Sequence, residues 1–271
     1  MTADTSKYSS PLSERYASKE MQYIFSQDKK FRTWRKLWIA LAETEMELGL
    51  KGENGEPVIT QEMIDELKAH ADDLNYEDAR RREAEVRHDV MSHVYAYGLQ
   101  CPKAAGIIHL GATSCYVGDN TDIILMAEAL QLVRRKLLNV IAKLAKFADT
   151  YKSLPTLAFT HFQPAQPTTV GKRASLWLQE FLMDLEDVDY VILTMKLLGS
   201  KGTTGTQASF QELFQNDQET IDKIDPLIAQ KMGFAHCYPV SGQTYSRKVD
   251  TRVANVLAGI AASAHKMSND I

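Results

Sequence analysis

The sequence predicts an all-α protein, in which an N-terminal helical domain leads into a long antiparallel helical bundle. Three long segments repeat apolar residues at alternating intervals of three and four, the spacing of one buried helix face. No segment alternates apolar and polar residues over a useful strand length, and no dinucleotide-binding glycine pattern is present. We place the N-terminal domain at 1–111 and the first part of the bundle domain at 112–271.

Composition and charge narrow the function classes. The chain has 271 residues, of which 44% are hydrophobic, which is enough to bury a sizeable core. Its 31 basic residues nearly balance 35 acidic ones, so nothing points to nucleic acid or to an anionic membrane. Three cysteines without a Cys-x-x-Cys pair, and the lack of a leader or of a long apolar run, predict a reduced cytosolic protein.

The N-terminal residues 1–27 predict an irregular arm that passes into a short helix. Arg15 beside Tyr16 could clamp a phosphate or carboxylate, because a guanidinium offers a planar fork of donors. A surface ion pair is the alternative. Beyond the arm, an aromatic and apolar stripe predicts a core helix that ends at Gly49, and Thr60 is expected to begin the next helix.

Asp78–Leu99 is predicted as one helix, charged in its first half and apolar in its second. The junction holds Arg87, His88 and Asp89, which we expect at the rim of a cleft. There Arg87 could bind an anion and Asp89 could orient His88. Consecutive helical residues point about 100° apart, so the three are not expected to face one atom. A solvated charge run with one histidine is the alternative.

The segment Gly106–Asp122 is predicted as a loop that leads into a long helix. Its small and hydroxylated residues, among them Thr113 and Ser114, allow a ligand to approach the backbone closely. We expect the helix to be capped at one of residues 119–121. Helix N-termini bind carboxylates and phosphates, although a loop that only caps the helix is an equal alternative.

Three helices are predicted for the bundle. The first apolar seam runs from Ile123 to Phe147, about 25 residues or roughly 40 Å at the helical rise. Similar seams follow at 175–198 and at 249–271. Helices of this length predict a long antiparallel bundle whose loops gather at its ends, so that a cleft forms where loops of several helices or subunits meet.

The connection Leu154–Lys172 is predicted to be short, irregular and stiffened by three prolines. It carries Thr160 and His161, and an imidazole beside a hydroxyl on a rigid frame suits proton transfer. A solvated histidine is the alternative. In a later loop, Gln243 is the neutral amide that we expect against a ligand carboxylate, or else an ordinary polar loop residue. Lys201 is given no role, and the spacing of a P-loop is missing.

Six motifs together resemble the adenylosuccinate lyases of animal type, a branch of the fumarase and aspartase superfamily. They are spread over essentially the whole chain and read SPLSERYAS, RHDVMSHV, GATSCYVGDNTD, FTHFQPAQPTTVGKR, KGTTGTQASF and SGQTYSRKVD. The resemblance implies a homotetramer with active sites shared between three subunits. It implies release of fumarate from adenylosuccinate, giving AMP, and from the succinylated aminoimidazole carboxamide ribotide of purine synthesis, without metal or cofactor.

The resemblance also implies residue roles. His161 matches the general acid. The substrate-binding matches are Arg15, Tyr16, Arg87, His88, Asp89, Thr113, Ser114, Thr160 and Gln243. The serine that acts as general base, the rest of the bundle and the C-terminal domain are expected after residue 271, so that the 271 residues alone are expected to be inactive.

Two alternatives remain open. One is a sister lyase of the argininosuccinate or fumarase type, which the RHDV and SERY motifs disfavour. The other, for these 271 residues alone, is a non-catalytic helical assembly module.

Overall fold

The computed structural model describes residues 10–271 and confirms the predominantly helical fold. Residues 1–9, the start of the predicted arm, lie outside the described part. The chain forms two compact units: unit 1 takes the residues up to Leu125 together with Lys196–Ser246, and unit 2 takes Met126–Met195 and Arg247–Ile271. The domain boundary at residue 111 stays a prediction. No helix within residues 10–271 has the length and apolar character to cross a membrane.

The helices that lie wholly in unit 1 are short, apart from one long core helix. The segment from Leu12 to Tyr16 is a π-helix. The α-helices that follow are α1 (Lys19–Ile24), α2 (Gln27–Glu47), α3 (Gln61–Ala69), α4 (Tyr76–Val86) and α5 (Asp89–Gln100). After α6 and α7, which are described with unit 2, come α8 (Ala208–Leu213), α9 (Gln218–Ile221) and α10 (Ile224–Lys231).

Helix α2 forms the core of unit 1, as its aromatic stripe predicts. Trp34 and Trp38 are buried on it, and the Trp38 ring lies 6.1 Å from the ring of Tyr97 on α5. The helix ends before Gly49, whose φ of 74° is the left-handed conformation that glycine adopts at helix ends. The Thr60 side chain accepts a hydrogen bond from the amide of Met63 at the start of α3. These predicted helix ends are confirmed.

The prediction of one helix over Asp78–Leu99 is wrong. Helix α4 ends because Arg87 adopts a left-handed conformation, with φ of 53°. His88 is extended and serves as the N-cap of α5. The chain therefore turns between two helices at this triplet, so the side chains of Arg87, His88 and Asp89 do not follow the 100° spacing of consecutive helical residues.

The long helix α6 begins earlier than predicted. It runs over Ser114–Thr150, so residues 119–121 lie inside the helix and none of them caps it. All three are buried, with Asn120 and Thr121 at 0% exposure. Their side chains are not needed at the helix end, and two of them hold other loops of unit 1, as described below.

Unit 2 is built from the long helices. It contains α6 from residue 126, α7 (Val170–Thr194) and α11 (Lys248–Asp270). On α7, Trp177 donates a hydrogen bond to Asp270 (2.7 Å), while Glu180 pairs with Lys266. Since the partner number falls as the α7 number rises, α7 and α11 are antiparallel. The predicted antiparallel arrangement of these long helices is confirmed.

The connection between α6 and α7 is a β-hairpin, so the prediction of an irregular loop without strands is wrong here. Strand β1 spans Pro155–Thr160 and strand β2 spans Gln163–Thr169, paired antiparallel. Proline argues against a strand assignment because it lacks a backbone N–H. A two-stranded hairpin tolerates it, because each strand has one side without a neighbour.

Candidate active site

His161 lies at the tip of the β-hairpin. Thr160 pairs with Gln163, which leaves His161 and Phe162 as a two-residue turn. Both have positive φ, 52° and 59°, as a type I′ hairpin turn requires. Asn-Gly is the favoured pair in such a turn, and a bulky residue there is strained by roughly 1–2 kcal/mol. Backbone strain of this kind is typical of functional sites.

The hairpin is tied to the helices on either side of it within unit 2. The amide of Val170 donates to the carbonyl of Leu154 (2.9 Å), and the amide of Gly171 donates to that of Tyr151 (2.9 Å). The Arg173 guanidinium donates to the carbonyl of Leu157 (3.0 Å). His161 is therefore an exposed imidazole on a firmly anchored support.

His88 and Ser114 are brought together in unit 1, although 26 positions separate them in the chain. Nδ1 of His88 accepts a hydrogen bond from the amide of Met91 (3.3 Å), so the neutral ring carries its proton on Nε2. Nε2 lies 3.1 Å from Oγ of Ser114 and donates to it. Asp89 is 3.9 Å from the ring and instead accepts from the amide of Val90, so it does not orient His88 by a hydrogen bond.

His109 is a further histidine of unit 1 that lies near His88. Its Nδ1 accepts a hydrogen bond from Nε1 of Trp38 (2.9 Å). Burial, and secondarily the nearby His88, lower the pKa of His109 to about 4, so its imidazole is neutral at pH 7. This histidine lies within the predicted loop Gly106–Asp122 and is not among the site residues that the sequence predicts. Its partner Trp38, 71 positions away, is a contact that no local pattern reveals.

The loop that carries Gln243 lies in the same unit. Gln243 is half-buried, and the amide of Tyr245 donates to the carboxylate of Asp119 (2.9 Å). Lys201, to which we assign no role, forms a buried ion pair with Asp225. Its charge is therefore neutralised within unit 1.

The other predicted site residues lie at the surface or beside these groups. Arg15 and Tyr16 are exposed in the π-helix, and Arg87 is exposed at the end of α4. Thr113 directly precedes α6, and its carbonyl accepts from the amide of Tyr116 (2.9 Å). Thr160 and His161 belong to unit 2, whereas the remaining predicted site residues belong to unit 1.

His88 caps helix α5 through Nδ1 and contacts Ser114 through Nε2, and its capping role can be tested by substitution. Asparagine is among the best N-caps and alanine is a poor one, so His88→Asn should preserve the start of α5 while His88→Ala should not. We expect the free energy of unfolding of His88→Ala to be about 1 kcal/mol lower than that of His88→Asn, measured by urea denaturation. Equal stability of the two variants would show that the ring does not cap the helix.

Comparison with known proteins places the chain in a class. The chain belongs to the lyase family, whose sequence model matches residues 7–271. It is 52% identical over 270 residues to the adenylosuccinate lyase of Saccharomyces cerevisiae and 50% identical over 270 residues to that of Schizosaccharomyces pombe. Each alignment covers 99% of this chain and 55% of the relative, so the chain spans about half the length of these curated relatives.

A solved structure shows the same fold. The 3-carboxy-cis,cis-muconate lactonizing enzyme of Pseudomonas putida superposes with a TM-score of 0.78 at 20% identity. The match covers 96% of this chain and 57% of that protein.

Proposed function

We propose that the chain forms part of a cytosolic adenylosuccinate lyase that releases fumarate from adenylosuccinate, giving AMP, and from succinyl-aminoimidazole carboxamide ribotide. The observation that carries this proposal is the 52% identity to a curated adenylosuccinate lyase across 270 of the 271 residues. The active enzyme is proposed to be a homotetramer in which each active site combines residues of three subunits, as the family resemblance implies.

The elimination needs one proton removed and one supplied. A base takes the proton from the carbon beside a carboxylate, and the electrons of that C–H bond form the new C=C bond. The C–N bond breaks, its electron pair goes to nitrogen, and a protonated His161 gives nitrogen a proton. A general acid that is held in position contributes about 10²–10⁴-fold in rate. The anchored hairpin supports this role because it would hold His161 in position.

Negative charge grows on the carboxylate during proton removal, so donors that face it should stabilise the transition state. Thr113, Ser114 and Gln243 are proposed as these donors, and each aligned donor would contribute about 2–4 kcal/mol. Support comes from the His88–Ser114 hydrogen bond, which restricts the orientation of the serine hydroxyl.

The remaining predicted residues are proposed to bind the rest of the substrate. Arg15 with Tyr16, and Arg87 with Asp89, would contact its polar and anionic groups, and Thr160 would contact the substrate beside His161. All of these residues except Thr160 and His161 lie in unit 1.

The 271 residues by themselves are proposed to release no fumarate. The family resemblance assigns the general base to a serine-rich loop that follows position 271, and an acid without its base completes only half of the proton transfer. An absorbance assay of this chain alone tests the point, since measurable turnover would contradict it.

The proposed reaction is tested on the complete enzyme by the absorbance change when fumarate is released. We expect turnover with adenylosuccinate and none with argininosuccinate. The opposite preference would overturn the proposal and identify a sister lyase.

A further inference from the structure

We propose that Asp119 is a positioning residue, which sets the place of Gln243 against the substrate carboxylate from inside helix α6. This inference rests on the proposed role of Gln243 in substrate binding. The sequence predicts for this buried carboxylate only a possible role as a helix cap.

The first observation is the hydrogen bond between helix α6 and the Gln243 loop. The backbone amide of Tyr245 donates to Oδ2 of Asp119 over 2.9 Å. Asp119 is 6% exposed and Tyr245 is 3% exposed, so water competes little for this bond. A carboxylate acceptor makes a stronger hydrogen bond than a neutral one. The backbone two residues after Gln243 is therefore attached to a rigid helix.

The second observation is a close backbone contact that fixes the same loop on the N-terminal side of Gln243. Gly205 has a φ of 80°, and a Cβ atom at this position would collide with the carbonyl oxygen of Ser241 and lie 3.1 Å from Cα of Gly242. The loop that contains Gly205 therefore packs backbone against backbone on the two residues before Gln243. Only a glycine leaves room for this approach.

The neighbouring helix residue holds the Gly205 loop. Nδ2 of Asn120 donates to the carbonyl of Gly199 (2.9 Å), and its Oδ1 accepts from the amide of Gly199 (3.1 Å). Consecutive residues of one helix point about 100° apart, so Asp119 and Asn120 each serve a different loop.

This arrangement links two of the residues that are proposed to donate hydrogen bonds to the substrate carboxylate. Ser114 is the first residue of α6, and Asp119 follows on the same helix. Because a helix is stiff over so few residues, Asp119 fixes Gln243 relative to Ser114. A small misplacement of such a group is costly, since displacements of about 1 Å can lower a rate by about 100-fold.

A double-mutant cycle on the complete enzyme tests the inference. We expect Gln243→Ala to lower kcat/KM by about 100-fold and Asp119→Ala to lower it by at least about 10-fold. If Asp119 acts through Gln243, the double variant should be no worse than Gln243→Ala within about twofold, because the two effects then overlap. Asp119→Asn keeps an oxygen acceptor for the Tyr245 amide and should recover most of the activity.

Gly118→Ala is the matched control, since a Cβ atom at the helix position before Asp119 would meet nothing within 4 Å and the Tyr245 amide keeps its acceptor. Its kcat/KM should match that of the unmodified enzyme. If Asp119→Ala does not fold, Asp119→Glu, which keeps the charge but displaces the carboxylate, supplies the same cycle.

Two outcomes separate the inference from the proposed function. Effects of Asp119 and Gln243 variants that multiply in the double variant would overturn the positioning role. An unchanged kcat/KM in Gln243→Ala would instead overturn the proposed role of Gln243 itself.

Discussion

Replacing His161 by alanine is expected to lower the turnover of adenylosuccinate by about 10³-fold, while substrate affinity stays within about tenfold. The imidazole is proposed to donate a proton only as the C–N bond breaks, so its loss acts on the transition state more than on the bound ground state. The change in kcat is measured by fumarate absorbance, and affinity by calorimetric titration of the complete enzyme.

His236→Ala is the control for this prediction. His236 is another exposed histidine, and it lies in unit 1, outside the residues proposed for the site. We expect its kcat to match that of the unmodified enzyme. A parallel loss of affinity and of unfolding free energy in His161→Ala would mean that the histidine supports the hairpin and does not act as an acid.

Replacing Gly171 by alanine is expected to lower the free energy of unfolding by about 3 kcal/mol, the upper part of the range for overpacked positions. A Cβ atom at Gly171 would collide with the carbonyl oxygen of Ala148 and lie 2.6 Å from Cα of Lys152. Both neighbours are backbone atoms, which cannot rotate away as a side chain can. The shift of the urea midpoint at unchanged slope measures this loss.

The matched control is Gly118→Ala in helix α6, where a Cβ atom would meet nothing within 4 Å. Alanine has the higher helix propensity, so this variant should be more stable by about 0.5–1 kcal/mol. Equal stability losses in the two variants would show that crowding at Gly171 is not the cause. Because Gly171 directly follows the hairpin, the same variant should also disturb the support of His161.

Local signals were sufficient for much of the fold. Helix α2 stops at a glycine with positive φ, and Thr60 caps α3, because each of these ends is decided by a few neighbouring residues. The start of α6 was misplaced for the opposite reason. Asp119 and Asn120 have the chemistry of helix caps, but they bind loops 126 and 79 positions away.

In the candidate site, too, local residue types predicted some features, whereas features that depend on distant contacts were not predicted. Residue types singled out Ser114 and His88. Their hydrogen bond, however, depends on the interruption of the helix at Arg87, which helical periodicity does not predict. The hairpin under His161 was missed because its turn is His-Phe, whereas Asn-Gly is the usual signal. Long-range contacts and strained turns are what the sequence pattern leaves out.

The prolines of the hairpin have a consequence for the solubility of unit 2. A two-stranded sheet has two open edges, and exposed apolar residues such as Phe159 beside open edges favour pairing with other chains. Pro155, Pro164 and Pro167 have no backbone N–H, so the strands offer fewer donors to an incoming strand. The hairpin can therefore expose His161 at its tip, although both of its edges are unpaired, with less risk of edge-to-edge aggregation.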